Sequence, residues 1–95
     1  MTQKEQIDIF NFKIKNGKKF LKELVDRKNQ AKKDFEECTL GECPLKTNEF
    51  KSALSNVANQ YTKLSAFIEI GCALGLISSI EFAELVDEIS ELAFS

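Results

Sequence analysis

The sequence predicts a mainly α protein with two long antiparallel helices, a shorter third helix and an extended N-terminal segment. The first reason is a set of apolar residues spaced by alternating steps of four and three, which lie on one side of an α-helix. These residues are Phe50, Leu54, Val57, Tyr61, Leu64 and Ile68. A second stripe of the same period lies within residues 18–37. The third reason is Gly75 followed by Ser78, a pattern typical of one helix ending and another beginning.

Residues 1–16 are predicted to be extended or strand-like. Apolar and polar residues alternate strictly in the second half of this segment, and the Asn16-Gly17 pair that follows favours a tight turn. A helix is the alternative, because Phe10 and Ile14 continue the register of the next helix backwards. It would place Asn-Gly inside a helix at a cost of about 1 kcal/mol. We therefore expect the extended conformation.

Residues 18–37 form the first predicted helix, and Lys28 is the one polar residue in its stripe. The apolar members of the stripe are Leu21, Leu24, Ala31 and Phe35. Residues 38–47 are predicted to be a loop, because both Gly41 and Pro44 break helices.

The second helix is predicted over residues 48–74 and the third over residues 79–92. Gly75 suits the left-handed residue that commonly ends a helix, and Ser78 with Glu81 forms a capping box for the third helix. A chain of 95 residues is too short for two cores, so residues 1–95 are expected to form a single helical domain.

Composition and cysteine content narrow the expected environment and chemistry. No segment has the apolar core of a signal peptide or the length of a membrane span, so a soluble cytoplasmic protein is expected. Three cysteines are an odd number, which argues against a disulfide framework, although oxidation could join Cys38 to Cys43. A zinc site would need a fourth ligand beside the three cysteines, and the chain has no histidine to supply it, so we expect no metal. We also expect no cofactor.

Catalytic groups are missing from the sequence as well. Nucleophilic catalysis needs an activating base, and no serine or cysteine has an evident one nearby. The paired carboxylates Glu36-Glu37 and Asp87-Glu88 are neighbours in helices, so their side chains point in different directions. We therefore predict that the protein is not an enzyme and that it has no catalytic residues.

Charge is distributed unevenly between the two halves of the chain. Residues 1–46 carry eleven basic and eight acidic residues, whereas residues 47–95 carry two lysines and seven acids. The basic residues of the first helix could bind phosphates, which makes nucleic-acid binding the alternative function. The residues proposed for that role are Lys15, Lys18, Lys22 and Lys33.

The third helix carries the opposite charge and no basic residue. Four of its acids, spaced by three, four and three residues, form one acidic stripe. These are Glu81, Glu84, Glu88 and Glu91. Acids near the C-terminal end of a helix interact unfavourably with its dipole. A row of acids would also repel the phosphates of DNA, so this helix is not expected to read DNA. The stripe suggests a basic protein partner, with Phe10 and Phe12 as a second anchor. The alternatives are ordinary solubilising charge or pairing with lysines of the first helix, in the same fold or in a dimer.

The unequal helix lengths predict a homodimer. At 1.5 Å per residue the second helix is about 40 Å long and the third about 22 Å long, so the third cannot cover the second. A second copy of the chain is the simplest cover for the remaining apolar side. The residues predicted at that contact are Phe50, Leu54, Val57 and Tyr61.

The C-terminal half resembles small helical proteins of phages and mobile elements in low-GC bacteria. The resemblance lies in Ala66-Phe67-Ile68, then Gly75-Leu76-Ile77-Ser78, and then Glu81-Phe82. It implies a class of small accessory proteins that includes inhibitors of host defence, such as anti-CRISPR proteins, and it transfers no functional residue. We therefore expect a non-enzymatic protein-binding inhibitor or regulator whose partner is a host or phage protein, such as a nucleic-acid-binding one.

Overall fold

The computed structural model describes residues 2–37 and 43–94. They form three helices: α1 (Gln3–Glu36), α2 (Cys43–Ala73) and α3 (Ser79–Ala93). Contacts between Phe35 and Phe50 at one end, and between Phe10 and Phe67 at the other, show that α1 and α2 are antiparallel. The prediction of a mainly α protein with two long helices and a shorter third is confirmed.

The prediction of an extended N-terminal segment is wrong, because residues 3–16 belong to α1. The Thr2 side chain caps the helix by accepting a hydrogen bond of 3.2 Å from the Glu5 backbone N–H. The helical register buries Phe10 and Ile14 against the rest of the core. A strand in this position would have no neighbouring strand among the described residues, so its backbone groups would remain unpaired.

The second helix begins earlier than predicted. Residues 43–47, expected to end a loop, are the first turn of α2. Pro44 is compatible with this position because the first turn of a helix needs no N–H donor. The rest of the expected loop, residues 38–42, and the proposed Cys38–Cys43 bridge lie outside the described residues.

The turn between α2 and α3 agrees closely with its prediction. Gly75 has a φ of 77°, and the N–H groups of Leu76 and Gly75 bond to the carbonyl oxygens of Gly71 and Cys72, the pattern of a Schellman motif. Both hydrogen bonds of the predicted capping box between Ser78 and Glu81 are present. Local chemistry therefore sets the direction in which α3 leaves α2.

All three helices contribute to one hydrophobic core. Leu21 of α1, Ile68 of α2 and Ile89 of α3 are its most completely buried side chains. α3 covers only the half of the hairpin next to the Gly75 turn, because its 15 residues are half as many as the 31 of α2. None of the described helices has both the length and the apolar character that a membrane crossing requires.

Candidate protein-binding face

The two charged sites predicted from the sequence lie beside each other. A groove of about 930 Å³ runs between α1 and α3, with the basic residues of α1 on one wall and acids of α3 on the other. We call it the α1–α3 groove; it is lined by Phe12, Lys15, Asn16, Lys18, Lys19, Lys22, Glu88, Glu91 and Leu92. The sequence could not place these groups together, because α1 and α3 are far apart in the chain.

One ion pair crosses this groove. The Lys18 Nζ atom donates a hydrogen bond of 2.9 Å to the Glu88 Oε1 atom, and both side chains are partly exposed. Such an exposed pair contributes about 0–1 kcal/mol to stability. The alternative explanation of the acidic stripe, pairing with lysines of the first helix, therefore holds for Glu88.

The other acids of the predicted stripe have different surroundings. Glu81 accepts a hydrogen bond from the Ser78 backbone N–H and so completes the cap of its own helix. Glu84 is exposed, and Glu91 is exposed at the rim of the α1–α3 groove. Of the four predicted acids, Glu84 and Glu91 therefore have carboxylates that are accessible and used neither in the cap nor in the ion pair.

The two phenylalanines proposed as a second anchor have different positions. Phe10 is 3% exposed, stacks on Phe67 with 5.0 Å between ring centroids, and belongs to the core. It cannot serve as a partner anchor in this structure, because the helical register turns it inward. Phe12, in contrast, is 64% exposed and lies in the α1–α3 groove.

The outermost side of α3 is a stripe that sequence reasoning described only in part. It consists of Ile80, Glu84, Asp87, Glu91 and Phe94, which we call the α3 face. Its apolar ends are the most exposed large hydrophobic residues described, Ile80 at 72% and Phe94 at 75%. The prediction missed Ile80, Asp87 and Phe94, although the five residues are spaced by alternating steps of four and three.

Contacts with α2 hold the C-terminal end of this face in place. The Tyr61 hydroxyl lies 2.9 Å from the Ser90 Oγ atom, and the Tyr61 ring lies 5.5 Å from the Phe94 ring. The Phe94 ring is thus supported from beneath while its outer surface stays open. The α3 face is carried by a helix that is fixed at both ends, by the cap at Ser78 and by Tyr61.

The basic residues proposed for nucleic-acid binding do not form one surface. Lys15, Lys18 and Lys22 line the α1–α3 groove opposite Glu88 and Glu91. Lys33 is in the last turn of α1, about 22 Å further along the helix axis than Lys18. The acids of α3 therefore offset part of the positive potential that phosphates would need.

Most of the residues predicted at a dimer contact pack against other residues of the same chain. Val57 is buried in the core, and Tyr61 contacts α3 as described above. Phe50 is half-buried against Phe35, with 5.9 Å between ring centroids, which leaves Leu54 as the one markedly exposed residue of the four, at 43%.

The described residues contain no group of three or more cysteine, aspartate or glutamate side chains placed to hold a metal ion. Cys72, half-buried beside the core, has a free thiol.

Comparisons with protein-family models, with curated proteins and with solved structures found no match.

Proposed function

We propose that this chain is a non-enzymatic protein-binding module that presents the α3 face to a basic surface of another protein. The observation that carries the proposal is an acidic row, Glu84, Asp87 and Glu91, with an exposed apolar side chain at each end. No ion pair joins these three acids to another described residue. Apolar anchors supply affinity in interfaces, and the carboxylates supply orientation and a faster encounter.

The kind of partner follows from charge and from the resemblance of the C-terminal half. A basic cleft that ordinarily binds nucleic acid would complement the acidic row, and occupying it would block the cleft. This supports a role as an inhibitor or regulator encoded by a phage or mobile element, of the anti-CRISPR type. The sequence features behind that origin are the Gly75-Leu76-Ile77-Ser78 turn and the residues that flank it.

The decisive variant is Glu84→Lys/Glu91→Lys. Both side chains are exposed, and neither takes part in the Ser78 cap or the Lys18 ion pair. A partner is first captured from nuclease-treated host lysate and purified, and its affinity for both forms of the chain is then measured by calorimetry at physiological salt. We expect the double reversal to weaken binding by at least about tenfold, because like charges then face each other.

A matched control separates the α3 face from the α1–α3 groove. Lys18→Glu/Glu88→Lys exchanges the two ends of the existing ion pair, keeps the net charge and leaves Glu84, Asp87 and Glu91 unchanged. It should bind the partner nearly as well as the wild type. Undiminished binding by Glu84→Lys/Glu91→Lys would refute the proposal, provided that circular dichroism shows the fold is retained.

A further inference from the structure

A second groove lies on the side of the hairpin that α3 does not cover. Three adjoining hollows of about 240, 290 and 320 Å³ run between α1 and α2, and neighbouring hollows share lining residues. We call this the α1–α2 groove. Lys13, which lines it, and Lys18, which pairs with α3, are five residues apart and so about 140° apart around α1. The groove and the α3 face are therefore on opposite sides of the molecule.

The charge of the α1–α2 groove is opposite to that of the α3 face. Its lining includes the cations Lys13, Arg27 and Lys63, and the described residues that line these three hollows include no carboxylate. Glu49 lines the next hollow along the hairpin, beyond Arg27, and forms an ion pair with Lys46. The Lys13 Nζ atom lies 5.9 Å from the centroid of the Phe67 ring, which places this cation over the floor of the groove. A row of carboxylates would thus meet Lys13 and Lys63 in the middle of the groove.

The order of apolar and charged groups also matches. One end of the groove is apolar and open, with Ile9, Ile70 and Leu74 all exposed, and Phe20 lies beyond the lysines. The α3 face has the same sequence of features: Ile80, then the acidic row, then Phe94. From Ile80 to Phe94 the face is about 21 Å long, and from Ile9 to Phe20, the corresponding apolar ends, the groove is about 17 Å long. Arg27 lies about 10 Å beyond Phe20 along α1.

We propose that the α1–α2 groove binds the α3 face of a second copy of this chain. The two surfaces complement each other in charge and in the placement of apolar groups. Because they are on opposite sides of one molecule, the contact is head-to-tail, so each added copy leaves one groove and one α3 face free. The proposal rests on the same α3 face as the proposed function, and a second copy would compete with the partner for it.

The test uses two charge-reversed variants and their mixture. Sedimentation velocity measures the mass of the wild type at rising concentration and at two ionic strengths. We expect a mass above the 10.7 kDa of one chain that rises with concentration and falls as salt is added. Glu84→Lys/Glu91→Lys and Lys13→Glu/Lys63→Glu should each remain at the mass of one chain, because like charges then meet at the contact.

An equimolar mixture of the two variants should associate again. In the mixture the reversed α3 face meets the reversed groove, and the unaltered face meets the unaltered groove. A wild type that stays at 10.7 kDa at every concentration and salt would overturn the proposal. Association that neither variant weakens would also overturn it, and would indicate a contact around Leu54 instead. Circular dichroism melts of both variants establish that loss of association is not loss of fold.

Two further measurements separate this inference from its alternatives. The first is the binding of a fluorescent single-stranded oligonucleotide. If the wild type is monomeric and binds it in a salt-sensitive way, and Lys13→Glu/Lys63→Glu abolishes that binding, the groove belongs to nucleic acid and the proposal is overturned. Lys13→Glu/Lys63→Glu should still bind the purified protein partner. If the mixture associates but no partner binding depends on Glu84 and Glu91, the proposed function fails while this inference stands.

Discussion

Gly71 and Phe10 make one of the closest contacts between α1 and α2. A Cβ atom at Gly71 would lie 2.2 Å from the Phe10 Cε2 atom and 2.3 Å from its Cζ atom. The ring is also stacked on Phe67, so it has little room to move. Residue 71 must therefore be glycine for Phe10 to pack where it does, even though glycine is a poor helix former.

We expect Gly71→Ala to lower the free energy of unfolding by about 1–3 kcal/mol, because the added methyl group overpacks this contact. The cost of overpacking exceeds the gain in helix propensity from glycine to alanine. Thermal or urea denaturation followed by circular dichroism measures the change. Gly17→Ala is the matched control, since its Cβ would meet the Leu64 Cδ1 atom at 2.7 Å, the movable end of a flexible side chain. Equal destabilisation by the two substitutions would contradict this explanation.

At the scale of one element, α1 is a single helix of 34 residues from Gln3 to Glu36. The alternation that predicted a strand is real, but the same residues also fit a helix whose buried side includes Phe10, Ile14 and Leu21. Burial of that side against α2 offsets the low helix propensity of the Asn16-Gly17 pair, as tertiary packing commonly overrides a weak local preference.

Proline substitution tests whether residues 3–16 are helical in solution. Asn11→Pro should lower the free energy of unfolding by about 3 kcal/mol or more, because proline inside a helix removes a backbone hydrogen bond and clashes with the preceding turn. Gln3→Pro, at the first helical position, should have little effect. Denaturation monitored by circular dichroism compares the two variants, and a negligible effect of Asn11→Pro would favour the extended segment.

At the scale of the whole molecule, stability should differ between the two ends of the hairpin. The chain is elongated, with principal extents of 58 × 23 × 14 Å, and α3 packs on only one half of it. Around Ile68 and Ile89 three helices share the core, whereas around Phe35 and Phe50 the described residues belong to α1 and α2 alone. Fewer buried apolar contacts permit local opening at lower free energy.

Hydrogen exchange followed by mass spectrometry should resolve this difference. Amides near Phe50 in α2 are expected to exchange faster than those near Ile68, because opening the two-helix end leaves the three-helix core intact. The comparison is made within one helix, so that helix type and length are constant. Uniform protection along α2 would contradict it and would indicate that another surface, such as a second copy, covers the two-helix end.

Much of the architecture could be read from residues close together in the chain. The stripe from Phe50 to Ile68 predicted α2, and the Gly75 turn and the Ser78 capping box predicted where α3 begins. These features depend on side-chain period, on the freedom of glycine at positive φ and on one side chain capping nearby backbone groups. All three are local properties, so a sequence determines them directly.

The tertiary structure decided the conformation of residues 3–16 and the use of the charged stripes. Phe10 packs inward because Gly71 on another helix leaves room for its ring, and Glu88 is used internally because Lys18, seventy residues away, lies across the α1–α3 groove. Likewise, Ile80, Asp87 and Phe94 face outward because the opposite side of α3 is buried on α1 and α2. These outcomes depend on which distant residues meet when the helices pack, and the period of a single helix does not contain that information.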